Sequence, residues 1–182
     1  MPPAGYSAAV ATRPHVLVAA GIVGALACAG GGPAMGVQPC KASQLRGTFK
    51  VIPGSPGAGS ISYRLRLTKT VGPTCFVSGL PGMRLLSKTG KPLPTKVTAA
   101  FRPGLTAVKV TLAYGKSAKA DARFSPDIPG PGEPQTGAPC EPKAYRVRVT
   151  VPPGGGTLVA PIVPPTTFCV RGTMSVRALS AV

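Results

Sequence analysis

Two stretches decide the fold class: Ser60–Thr70, reading SISYRLRLTKT, and Ala144–Val151, reading AYRVRVTV. In the first, Ile61, Tyr63, Leu65 and Leu67 alternate with Ser62, Arg64, Arg66 and Thr68. A period of two puts the apolar set on one side of an extended chain and the polar set on the other, the pattern of a half-buried strand. The second repeats the device, with Tyr145, Val147, Val149 and Val151 inward and Arg146 and Arg148 outward.

Outward from these two strands the same period recurs. Ala107–Ala113 (AVKVTLA) places Val108, Val110 and Leu112 inward, and Met174, Val176 and Ala178 alternate near the end. Shorter strands are expected at Gly47–Ile52, Thr74–Val77, Met83–Ser87, Thr95–Phe101, Ser117–Phe124 and Thr157–Ile162. Turn signals divide them, among them Pro53-Gly54, Gly72-Pro73, Pro81-Gly82, Thr89-Gly90, Gly115 and the run Pro153–Gly156. Past the N-terminal apolar run, no stretch of ten residues carries a 3.6-residue period. Eight or nine short strands at this spacing predict an all-β fold, an antiparallel, immunoglobulin-like β-sandwich. One long loop is expected at 126–139 (PDIPGPGEPQTGAP), its Pro and Gly content suiting a mobile connection.

The first 36 residues read differently. Arg13 precedes an apolar run from Val16 to Cys28, and the small residues AGGGPAMG follow. This is the order of a secretory signal peptide, and the run of 13 falls short of the ~20 residues that span a bilayer. Small residues at −3 and −1 mark cleavage after Ala29 or after Gly36. Ala25-Leu26-Ala27-Cys28 also resembles a lipobox, which would make Cys28 a lipidation site. The expectation is therefore residues 1–36 as signal peptide and short linker, and residues 37–182 as one exported domain. Membrane attachment would follow only from an uncleaved leader or a lipidated Cys28.

The exported part keeps four cysteines, Cys40, Cys75, Cys140 and Cys169. An even count in an oxidising compartment implies two disulfides with three pairings open. Sequential pairing, Cys40 with Cys75 and Cys140 with Cys169, is the expected one. A Cys₄ zinc site normally uses close pairs, and no two of these cysteines are nearer than 29 positions.

Composition narrows the chemistry. The only histidine, His15, lies in the leader, which removes Ser-His-Asp and Cys-His catalysis and histidine-bound metals from the exported part. No S-x-x-K motif is present. The four acids are Asp121, Asp127, Glu133 and Glu141, the last three in or beside the Pro/Gly-rich loop, a poor arrangement for acid–base catalysis or a calcium cage. No enzyme, metal or cofactor is expected. The absence of Asn removes glycosylation sequons and, with abundant Ala, Gly, Pro and Arg, suits a GC-rich genome.

A set of landmarks runs in order along the chain: Cys40, Leu67-Thr68-Lys69-Thr70, Cys75, Gly79-Leu80-Pro81-Gly82, MRLLSKTG at Met83–Gly90, and VTLAYGKSA at Val110–Ala118. Cys140, Val149-Thr150-Val151-Pro152-Pro153 and Cys169 complete the set. Taken in order, these landmarks resemble an exported actinobacterial family, the domain of unknown function (DUF) 4232. The resemblance implies an exported β-sandwich from a bacterial cell envelope and no catalytic activity. Three positions depart from the family pattern: Lys69 stands for Asn, Leu80 for an aromatic and Tyr114 for Pro. All three are expected at turns or on the surface.

What remains is charge. Lys and Arg number 21 against four acids, a formal +17, and only Arg13 of the basic residues precedes Val37. Arg64, Arg66, Arg146 and Arg148 point outward on strands of one pattern, and in a shared sheet they would make one cationic face. Guanidinium suits bidentate phosphate or carboxylate contacts. The expected partner is an anionic cell-wall polymer, an acidic lipid or an acidic protein. The rival readings are a solvated surface that resists aggregation and a secreted module that binds a protein through loops or turns. Nucleic acid is not expected: no reading motif is present, and Tyr63 and Tyr145 face inward, unable to form a stacking platform.

Overall fold

The computed structural model describes residues 36–100, 107–136 and 138–182. Residues 1–35 of the leader, with the cleavage position after Ala29, Cys28 and His15, lie outside the described residues, as does Phe101 at the end of one expected strand. In chain order the strands are β1 (Gln38–Pro39), β2 (Leu45–Val51), β3 (Ile61–Lys69), β4 (Cys75–Val77), β5 (Gly82–Leu86) and β6 (Lys96–Ala99). They continue with β7 (Val110–Leu112), β8 (Ser117–Phe124), β9 (Ala144–Thr150), β10 (Thr157–Thr166), β11 (Thr173–Val176) and β12 (Ser180–Ala181). The fold is all-β, as the alternation requires.

The larger hydrogen-bonded path runs β5-β9-β10-β2-β3-β8-β11-β6, with β12 also on β8, and a three-stranded sheet runs β1-β4-β7. Most pairs are antiparallel; β1–β4, β10–β2 and β11–β6 are parallel. The link between β10 and β2 is short, with only Ile162↔Phe49 and Val163↔Lys50 in register. It is also where the path folds over itself. A Cβ placed on Gly47, in β2, would lie 2.6 Å from Leu158 Cδ1 and 3.0 Å from Ala160 Cβ. Gly47 shares its parity with the buried Leu45 and Phe49, so the first half of β10 lies over the inner face of β2. The layer β5-β9-β10 thus faces the layer β2-β3-β8, and β10 crosses at the corner. Such a corner, made by a strand that changes layers at an irregularity, is an established way to close a sandwich. The ladder with β9 shifts register between Pro161 and Thr166, where prolines cannot donate.

Alternation fills the space between layers. On β8 the inward residues are Ala118, Ala120 and Ala122, opposite Leu67, Leu65 and Tyr63 of β3. Small against large lets the facing layer approach. Phe49, Tyr63, Phe124 and Phe168 form a continuous aromatic chain, with centroids 5.3, 5.4 and 3.8 Å apart in that order. The Tyr63 hydroxyl donates to Pro164 O at 2.9 Å, so this buried ring keeps its polar end satisfied.

The disulfides are Cys40–Cys75 and Cys140–Cys169, the sequential pairing. Three positions correct the sequence reading. Val108 is 62% exposed, because the strand begins only at Val110. Ala178 is exposed and Leu179 buried, because the period slips after β11, where Arg177 N bonds to Asp121 O. Lys69 is fully buried, not at the surface: it is the last residue of β3, on the inward parity of Leu65 and Leu67. Its ammonium donates to Val71 O, so the charge ends on a backbone carbonyl.

Candidate functional site

The outer face of β2, β3 and β8 is a grid set by register. Arg46, Thr48 and Lys50 of β2 lie opposite Thr68, Arg66 and Arg64 of β3. Those in turn lie opposite Ser117, Lys119 and Asp121 of β8, and Ser62 opposite Arg123. Arg177 adds its charge beside Asp121, whose carbonyl its backbone amide reaches at 2.9 Å. Among the described residues, seven cationic side chains (Arg46, Lys50, Arg64, Arg66, Lys119, Arg123 and Arg177) therefore share a face with one acidic side chain. Rows on a strand repeat every ~6.6 Å and strands lie ~4.8 Å apart, so neighbouring charges fall well within one Debye length of each other.

The single carboxylate is neutralised. Arg64 Nε and Nη2 donate to Asp121 Oδ1 and Oδ2 at 2.7 and 2.9 Å, a bidentate pair. That bond holds the Asp121 carboxyl below the usual carboxylate range, and Lys119 and Arg177 act in the same direction. Beside this pair a cleft of about 400 Å³ is lined by Ile52, Ser62, Asp121, Arg123, Ser175 and Arg177. Arg123 enters it already oriented, with Nε and Nη2 donating to Ser60 Oγ at 2.9 and 2.6 Å. Arg66 lies directly opposite Lys119, and like charges so placed cost stability. A shared anion removes that cost.

The four arginines expected on one face do not come together. β10 and β2 separate β9 from β3 along the path, and the fold-over at β10 points the two pairs outward from opposite layers. Arg64 and Arg66 sit on the face described above. Arg146 and Arg148 sit on the outer side of β9, both exposed, with Arg146 Nη2 bonded to Lys88 O at 2.7 Å. The Y-R-x-R pattern reveals which side of each strand is polar but not which layer holds the strand. Lys50, Lys119 and Arg123 lie on segments expected as strands but given no inward and outward faces, and Arg46 precedes the expected start at Gly47; the alternation of charged with apolar or small residues was the available signal.

A second cluster was also missed. Glu133, in the long loop, is only 8% exposed. Its carboxylate accepts the backbone amides of Gly130 (2.7 Å), Val170 (2.9 Å) and Arg171. Val170 and Arg171 are both left-handed (φ 58° and 54°), which aims their successive amides at one anion. Burial pushes the Glu133 carboxyl up, but the three amides and Glu141 hold it below the usual range. Glu141 is pushed the other way, by burial and then by the Glu133 charge. Glu133 and the sulfurs of Cys140 and Cys169 fall within 4.8 Å of one another, but those sulfurs are bonded to each other and are not thiolate ligands. The cluster anchors the 126–139 loop to the turn after β10.

A family model described as "Domain of unknown function (DUF4232)" matches residues 40–180. No curated protein and no solved structure matches the chain.

Proposed function

The chain belongs to the DUF4232 family, and from that premise we propose that it is an exported, non-enzymatic actinobacterial cell-envelope protein that binds anionic envelope components through the β2-β3-β8 face. The observation that carries the reading is the seven-to-one ratio of cations to carboxylates on that face, with the one carboxylate already held by Arg64. Lys50, Arg66, Lys119 and Arg123 supply the attraction, and the rigid sheet holds them in place without a folding cost on binding. Two disulfides suit an oxidising exterior.

The test is retention on isolated actinobacterial envelopes, with a salt wash. The protein should stay bound at about 50 mM salt and leave well before about 500 mM, because contacts to repeated anions release counterions steeply with salt. The variant Lys50→Gln/Arg66→Gln/Lys119→Gln/Arg123→Gln, which spares the Arg64–Asp121 pair, should wash off at the lower concentration. Retention that neither salt nor the variant alters would point instead to an apolar protein contact through the loops.

A further inference from the structure

The opposite layer carries a second cationic face. On β5 and β9 the inward residues Met83 and Leu85 pair with Val149 and Val147, leaving Arg84, Arg146 and Arg148 outward and exposed. Arg84 and Arg148 are direct register partners. Two like charges directly opposed cost stability, and none of the chain's four acids relieves them. Asp121 is on the other face, Glu133 and Glu141 are at the Cys140–Cys169 anchor, and Asp127 is in the long loop. Lys88 lies beside Arg146, its carbonyl accepting the guanidinium.

We propose that the domain is a bivalent cross-linker, holding one phosphate-bearing polyanionic chain on the β2-β3-β8 face and a second on Arg84, Arg146 and Arg148. The inference rests on the anion-binding reading of the first face. Packed sheets are ~10 Å apart, and the arginine side chains project outward from both. At physiological salt the Debye length is about 8 Å, so the two faces act as independent sites with the whole core between them. Guanidiniums held side by side across a register pair suit a phosphate group, which takes two bidentate donors at once.

The experiment uses purified protein and long-chain inorganic polyphosphate, with anisotropy of labelled polyphosphate for binding and light scattering for cross-linking. Wild type should bind and scatter, with scattering greatest near charge matching and lost in polyphosphate excess, where each molecule holds one chain or two sites of the same chain. Arg84→Gln/Arg148→Gln, and separately the triple variant adding Arg146→Gln, should bind within about threefold of wild type while scattering falls at least about tenfold, since cross-linking needs both sites. The smaller variant keeps the Arg146–Lys88 bond, so a fold defect in the triple variant leaves the test intact. Undiminished scattering by both variants would overturn the second face. Binding by wild type without scattering would overturn bivalency while sparing the first face. No binding by wild type would overturn the first-face reading and this one with it. Clustering of phosphatidylglycerol vesicles with no scattering on polyphosphate would assign the faces to lipid headgroups and overturn the polymer.

Discussion

Replacing Gly47 by Val tests the fold-over at β10 on which the two-sided layout depends. The new Cβ would stand 2.6 Å from Leu158 Cδ1 and 3.0 Å from Ala160 Cβ, where ordinary carbon contacts are ~3.5–4.0 Å. Leu158 is half-buried and its terminal methyl can swing aside, whereas Ala160 is fully buried and has no torsion to yield. The relief must come from moving β10 away from β2 by several tenths of an ångström, and the two γ-methyls of Val deepen the clash. Overpacking of this kind costs about 1–3 kcal/mol, and the upper part of that range is expected here. In guanidinium the midpoint should fall by about 0.5 M, given a slope of ~4 kcal/mol per M. Gly57→Val is the control, because a Cβ there meets nothing within 4 Å and should change stability by less than about 0.5 kcal/mol. A Gly47→Val protein as stable as wild type would mean that β10 does not lie over β2, and the opposition of the two cationic faces would go with it.

Other predictions follow from the same structure. Opening Cys140–Cys169, by Cys140→Ala/Cys169→Ala, frees a loop of 29 residues and should cost about 3.6 kcal/mol in denaturant titrations from chain entropy; a loss below about 1 kcal/mol would contradict that account. Asp121→Asn removes the only carboxylate of the first face, so polyphosphate affinity should rise, while the partly exposed Arg64 pair costs at most about 1 kcal/mol on breaking; weaker binding would count against the electrostatic reading. Glu133 has a depressed folded pKa, so its stabilising share is present above the ordinary carboxylate range and lost as pH falls through the folded value. Glu141 has a raised one, so its share is present below the ordinary range and lost as pH rises through the folded value. Glu141→Gln should therefore steepen the loss of stability on acidification and raise stability at pH 7, whereas Glu133→Gln should flatten the acid limb and speed protease cleavage within 126–139. Equal pH profiles for the two variants would contradict the opposed shifts.

The strands were legible because a half-buried strand writes its burial into alternate residues. Tyr63, Leu65 and Leu67 are buried and Val147 and Val149 are buried, as their spacing requires. Two disulfides were legible from the cysteine count, and the sequential pairing is the one of three open pairings that was expected and that forms. Layer assignment was not, since alternation is the same whichever layer a strand enters; the four-arginine face failed on that point. Lys69 shows a second limit. Its long chain reaches a backbone carbonyl from a fully buried position, so residue type alone misplaces it. Glu133 shows a third: a Pro/Gly-rich sequence signals a loop, but a nest of amides contributed from 38 residues away leaves no local mark.

The most direct test of the central claim, that the β2-β3-β8 face grips a polyanion by its charges, is the salt dependence of polyphosphate affinity. The logarithm of the association constant should fall linearly with the logarithm of salt concentration for wild type. For Lys50→Gln/Arg66→Gln/Lys119→Gln/Arg123→Gln the slope should be shallower by about 3, at roughly 0.7–0.9 per charge removed. An unchanged slope, with the variant folded as wild type, would mean that these four residues do not touch the polymer, and the face would be no more than a solvated surface.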